Sequence, residues 1–139
     1  MAFVIDASAT LPWRFADEST PWTEALLDRA EAGEEILVPA HWPLEVANGL
    51  LVAQRKGRVT DAQVSEFLED LAALPIRVIP AAAAQLPAIL RLAKQYRLTA
   101  YDAAYLDLTQ HASLPLATLD ADLRKAASAA GAALVELAP

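Results

Sequence analysis

Cysteine is absent from the 139 residues, which excludes a disulfide scaffold, a zinc–thiolate site, an iron–sulfur cluster and a cysteine nucleophile. No apolar run approaches the ~20 residues needed to cross a bilayer. The opening Met-Ala-Phe-Val-Ile-Asp lacks the basic region of a secretion signal, so a soluble, cytoplasmic protein with no membrane partner is expected. Basic side chains are few: 11 Lys and Arg stand against 18 Asp and Glu, a net charge of −7. That argues against a general nucleic-acid coating protein, whose affinity comes from cations neutralising phosphates. It leaves room for a nuclease whose acids hold metal ions behind a local basic rim. No Gly/Ser/Pro-rich linker and no internal repeat divides the chain, and a single domain over residues 1–139 is expected.

What is present is a hydrophobic fraction of 55%, much of it alanine, a strong helix former and weak core filler. Short apolar runs at Ala2–Ile5, Glu35–Val38, Ile76–Ile79, Leu116–Thr118 and Ala133–Leu137 suit buried strands rather than helices. Longer stretches with helical spacing separate them. Thr20-Pro21 opens a helix that Gly33 ends. Another starts near Trp42-Pro43 and stops at Gly57, with Leu44, Ala47, Asn48, Leu51 and Arg55 on one stripe. Thr60 to Gln63 reads as a capping box ahead of Val64, Phe67, Leu68 and Leu71. Further helices are expected from about Ala82 to Tyr96, with Pro87 near the first turn, from Thr99 to about Ser113, and from Asp120 to before Gly131. The alternation predicts an α/β fold: a mostly parallel sheet of about five strands flanked by helices.

In open α/β sheets the ligand crevice lies beyond the carboxyl ends of the strands. Asp6 follows the first strand. Asp120 follows the fourth, with Asp122 two residues on. Glu45 and Asp102 open helices that start near the same edge. Three of these acids also have a structural role open to them: Asp102 completes a capping box with Thr99, Asp120 fits an N-cap, and Glu45 suits a helix N-terminus. Asp6 is harder to explain that way, because Asp is depleted in strands and here follows a buried apolar run. Their coincidence at one edge favours a shared site. Clustered anions need relief by protons or a cation, and hard oxygen ligands select Mg²⁺ or Mn²⁺. The chemistry that follows is metal-assisted phosphodiester hydrolysis. Ser8, Thr118 and Asn48 are placed to orient these carboxylates, or to serve as turn hydroxyls and a backbone partner. His41 and His111 pair with no evident carboxylate motif and read as structural. The Arg55-Lys56-Gly57-Arg58 cluster suits a helix C-terminus or a phosphate-guiding rim. Trp13, Trp22 and Trp42 fit a core, an interface or base stacking equally. Apolar side chains including Leu50, Leu51, Phe67, Leu68 and Leu71 offer surface for a dimer, or are simply core.

Four blocks, Val4-Ile5-Asp6-Ala7-Ser8, Pro43-Leu44-Glu45-Val46-Ala47-Asn48, Leu98-Thr99-Ala100-Tyr101-Asp102-Ala103-Ala104-Tyr105 and Leu116-Ala117-Thr118-Leu119-Asp120-Ala121-Asp122-Leu123, resemble in order and spacing a PIN domain, specifically the VapC toxin ribonucleases. The resemblance implies a sheet of about five parallel strands. It also implies a Mg²⁺- or Mn²⁺-dependent endoribonuclease site on Asp6, Glu45, Asp102 and Asp120, with Asp122 as an accessory acid and Ser8 and Thr118 in support. The implied substrate is RNA, and the implied partners are a second copy of the chain and a small antitoxin protein. A receiver-like signalling or binding module without nuclease activity is the alternative. It would need an acidic pair after the first strand and an acceptor Asp after a middle one, whereas Ile76–Ile79 runs into Pro80. An Asp-nucleophile phosphatase would need a second Asp where Ser8 stands.

Overall fold

The computed structural model describes residues 1–136. Four strands, β1 (Ala2–Ile5), β2 (Glu35–Pro39), β3 (Ile76–Ile79) and β4 (Leu116–Ala117), form one parallel sheet in the order β3-β2-β1-β4. Parallel pairing requires crossovers, and helices supply them. These are α1 (Ala7–Thr10), α2 (Pro21–Glu31), α3 (Trp42–Arg55), α4 (Asp61–Ala72), α5 (Leu86–Tyr96), α6 (Ala100–Ala112) and α7 (Ala121–Ala129). Phe3, Val4 and Ile5 of β1 are fully buried and join Ile36, Val38, Leu106, Leu116 and Leu123 in the main core.

Cap chemistry sets the helix starts. Thr20 and Thr60 each accept a bond from the amide three residues on, with the reciprocal bond returned by Thr23 and Gln63. The helix expected from Ala82 instead begins as a 3-10 turn, Ala83–Gln85, before α5. Pro87 has no amide hydrogen and its ring crowds the carbonyl four residues back, so α-helical bonding begins only beyond that point.

Several expectations are corrected. The fifth run, Ala133–Leu137, forms a single parallel bridge between Leu116 and Leu134 rather than a ladder; Leu137 lies outside the described residues. The indole N–H of Trp22 donates to the Val135 carbonyl at 3.0 Å, tying the segment down by a side chain. Run β3 is not buried: it sits at the sheet edge with Val78 43% exposed. On α3 the core face is Trp42, Val46, Leu50 and Ala53, while Leu44 and Leu51 are exposed. Of the residues offered for a dimer face, Leu50, Phe67 and Leu71 are core, and Leu51 and Leu68 are exposed. Trp22 and Trp42 are core residues. Trp13 packs partly buried against the main core, and all three indole N–H groups are bonded internally.

Gly49 lets α3 approach the turn after α1: a Cβ there would run into the side-chain end of Leu11. Because Leu11 is flexible and alanine favours helix by about 1 kcal/mol over glycine, Gly49→Ala is expected to be near neutral. Gly49→Leu should lower stability by about 1–3 kcal/mol through overpacking, read from urea unfolding midpoints.

Candidate active site

The strand order reverses between β1 and β4, because β1 leads to β2 on one side while β4 lies on the other. That switch point is where a crevice opens at the carboxyl ends of a parallel sheet. The register pairs Val4 with Leu116 and Ile5 with Ala117, so the next residues outward, Asp6 and Thr118, face each other although they are distant in the chain. Sequence alternation alone did not reveal this pairing.

Asp6 is 6% exposed and held on every side. Oδ1 accepts from the Ser8 hydroxyl at 2.7 Å and the Ala9 amide at 3.1 Å, capping α1. Oδ2 accepts from the Thr118 hydroxyl at 2.5 Å. Thr118 Oγ1 in turn accepts from the Asp120 amide, and Ser8 Oγ from the Leu119 amide. Burial pushes the Asp6 carboxyl up to about 6; the bonds from Thr118, Ser8 and Ala9 oppose that rise, and the Asp120 charge adds to it. Removing the fully buried Thr118 hydroxyl therefore has a defined sign. Thr118→Val is expected to raise the Asp6 pKa further, seen by carboxyl carbon-13 NMR titration, and to cost about 1–3 kcal/mol of stability through orphaned polar groups.

The remaining acids surround this edge. Asp120 caps α7 through Oδ1, bonded to the Leu123 amide at 2.9 Å. Thr99 caps α6 by accepting from the Asp102 amide, but the Asp102 carboxylate returns no bond to complete a capping box. Its carboxyl is raised by partial burial and, in decreasing order, by the charges of Asp120 and Glu45; His41 lowers it and Asp122 adds a smaller rise. Those mutual influences mark Asp6, Glu45, Asp102 and Asp120 as one electrostatic group, with Asp122 on its outskirts. Asp6, Asp102, Asp120 and Asp122 form no salt bridge among the described residues. No three His, Asp or Glu side chains among the described residues are already gathered so as to hold a metal ion.

Glu45, in the first turn of α3, is held by residues the sequence reading did not assign. The Tyr105 hydroxyl donates to Glu45 Oε1 at 2.5 Å. Burial first, and that bond second, push the phenol pKa up, which keeps Tyr105 a donor. His41 Nε2 lies 3.6 Å from the same oxygen and donates to the Tyr101 carbonyl at 3.0 Å. Asn48, expected to hold Glu45, is exposed and has no hydrogen bond to it. Both histidines do sit four residues from an acid, His41 before Glu45 and His111 after Asp107 at 3.2 Å. That spacing was the available signal. The Arg55–Arg58 cluster is remote from the acids: about 15 Å of helix separates Arg55 from Glu45, and Arg58 pairs with Asp17 and Glu18.

A cavity of about 560 Å³ lined by Trp13, Leu27, Phe67 and Leu71, among others, includes none of Asp6, Glu45, Asp102, Asp120 and Asp122. The acidic edge instead lies among exposed residues, including Tyr101, Leu119 and Asp120, which suits a long substrate better than an enclosed small one. Among the described residues no helix is long and apolar enough to cross a membrane.

Comparison with known proteins places this geometry. No curated protein matches the chain in sequence. Among solved structures, the crystal structure of PAE2754 from Pyrobaculum aerophilum is similar at a TM-score of 0.71 and 24% identity, covering 91% of this chain and 84% of that one. That likeness shows a shared fold. The PIN-domain family model matches residues 3–129, a span that runs from β1 through α7 and includes every acid described above. The chain belongs to the PIN-domain family, whose members are generally nucleases.

Proposed function

We propose that the protein is a metal-dependent endoribonuclease, acting as the toxin of a toxin–antitoxin pair, with Asp6, Glu45, Asp102 and Asp120 as its working carboxylates. The observation that carries this reading is the electrostatic coupling of acids from four distant segments around the β1–β4 switch point. The donor set fits a hard divalent ion. It is all oxygen, four of its five acids are free of salt bridges among the described residues, and its outer members are exposed enough to move inward. Mg²⁺ or Mn²⁺ is the matching ion; Asp6, Glu45 and Asp102 would hold it, with Asp120 completing the set and Asp122 accessory. Lewis acidity toward a phosphodiester and its attacking water is the chemistry such an ion supplies.

The chain's own residues prepare the site. Ser8 and Thr118 fix both oxygens of Asp6, so its carboxylate is already aimed. Glu45 is held at one oxygen only, by the Tyr105 hydroxyl, with His41 3.6 Å from the same atom. The Tyr105 phenol, kept protonated, can donate but cannot take up a proton at neutral pH. The antitoxin and homodimer belong to this proposal as well. Exposed apolar side chains at Leu51, Val52, Leu68, Leu86 and Leu90 supply surface for such contacts, and light scattering that returns a monomer at micromolar concentration would remove the dimer.

The direct test is cleavage of single-stranded RNA with Mg²⁺ or Mn²⁺ supplied and then chelated. Cleavage should appear with the ion and vanish with chelator. Activity that survives chelation would refute the metal-dependent reading.

A further inference from the structure

Three of the four central acids are each preceded in the chain by a large apolar side chain that stands in water. Leu44 before Glu45 is 73% exposed, Tyr101 before Asp102 is 65% exposed, and Leu119 before Asp120 is 45% exposed. Tyr101 is also the best anchored. Its carbonyl accepts from His41 Nε2 at 3.0 Å, and its ring meets the imidazole edge to face, with centroids 5.4 Å apart. The same imidazole packs on Tyr105 with centroids 5.1 Å apart and lies 3.6 Å from Glu45. The exposed ring is thus fixed to the acid cluster through one side chain.

We propose that Tyr101 is a stacking platform for an unpaired base of the RNA beside the phosphodiester to be cut. This inference rests on the nuclease reading above. A net charge of −7 works against holding the flanking phosphate backbone by Coulomb attraction alone, although the proposed ion and Arg124, which donates to the Thr118 carbonyl at 3.0 Å, supply local positive charge. Bases are the part of RNA that an apolar rim attracts without that penalty, and aromatic stacking is insensitive to base identity. In a duplex those faces are covered by neighbouring bases, so the rim selects single strands. Tyr101 acts here as a binding and positioning residue, with its ring rather than its hydroxyl making the contact.

Steady-state cleavage of a single-stranded oligoribonucleotide by wild type, Tyr101→Ala and Tyr101→Phe tests this, together with matched substrates carrying one abasic ribose at successive positions around the cut. Tyr101→Ala should raise KM about 5- to 150-fold with kcat little changed, while Tyr101→Phe keeps the wild-type KM. At one position the abasic substrate should already have lost that factor, and Tyr101→Ala should cost nothing more there. Equal KM for wild type and Tyr101→Ala, or the same added loss at every abasic position, overturns the proposal. If wild type cleaves no RNA, the nuclease reading fails instead, and anisotropy with the same oligonucleotide, fluorescein-labelled, decides the stacking. Weaker binding by Tyr101→Ala but not by Tyr101→Phe then upholds it; equal binding or none overturns it. A dimer that dissociates on Tyr101→Ala while RNA affinity stays unchanged also overturns it, in favour of a second copy of the chain covering the ring.

Discussion

Replacing Asp6 with Asn is expected to lower RNA cleavage by at least about 100-fold while leaving the metal-free protein as stable as wild type or more so. The loss follows from removing a charged oxygen donor, when metal-assisted charge stabilisation contributes several kcal/mol to such reactions. The stability half follows from burial. At about 1.4 kcal/mol per pH unit, raising the carboxyl from 3.8 to about 6 means that its ionised form costs the fold on the order of 3 kcal/mol at neutral pH. A neutral amide of nearly the same shape avoids that cost, though the Thr118 hydroxyl must turn to accept from it. Added Mg²⁺ should then raise the melting temperature of wild type and not of Asp6→Asn, because an ion that binds only the folded state stabilises it by mass action. Equal cleavage rates for the two proteins would remove Asp6 from the mechanism.

The pH dependence should change sign with the ion. Asp6 has a folded pKa above its unfolded value, so its stabilising contribution is fully present below about 3.8 and is lost as pH rises through about 6. Asp102 is shifted in the same direction. The metal-free protein therefore loses this part of its stability on going from acid to neutral pH. Ion binding requires the carboxylates ionised, so the Mg²⁺-induced rise in melting temperature and the cleavage rate should both fall as pH drops through about 6. Apparent affinity should then weaken about tenfold per pH unit for each proton displaced. Subtracting the Asp6→Asn melting curves from those of wild type isolates the Asp6 share. A difference that stays flat between pH 4 and pH 7.5 would contradict the assignment.

Local signals carried much of the fold into the sequence. The apolar runs located all four strands, and Thr20, Thr60, Thr99 and Asp120 marked helix starts through bonds made within three residues. On α3 the pattern failed. The stripe expected to face inward carried Leu44 and Leu51, whereas Val46 and Leu50 face the core, a choice that only the position of the sheet decides. The acids were legible because each directly follows a strand or opens a helix. Their partners were less so. Tyr105 acquires its role from a carboxylate sixty residues earlier, and the Trp22 contact to the Val135 carbonyl spans 113. Such pairings are set by packing, which leaves no periodic trace in a single chain.

The bond between Thr118 and Asp6 has a consequence for synthesis. Asp6 leaves the ribosome 112 residues ahead of Thr118, which directly follows β4, and Asp120 comes two residues after that. Until β4 pairs beside β1, the first carboxylate lacks the hydroxyl that aims it and the fourth has no place at the edge. A nascent chain therefore carries an unfinished edge until β4 has been made and has paired, and only then is Asp6 oriented from both sides.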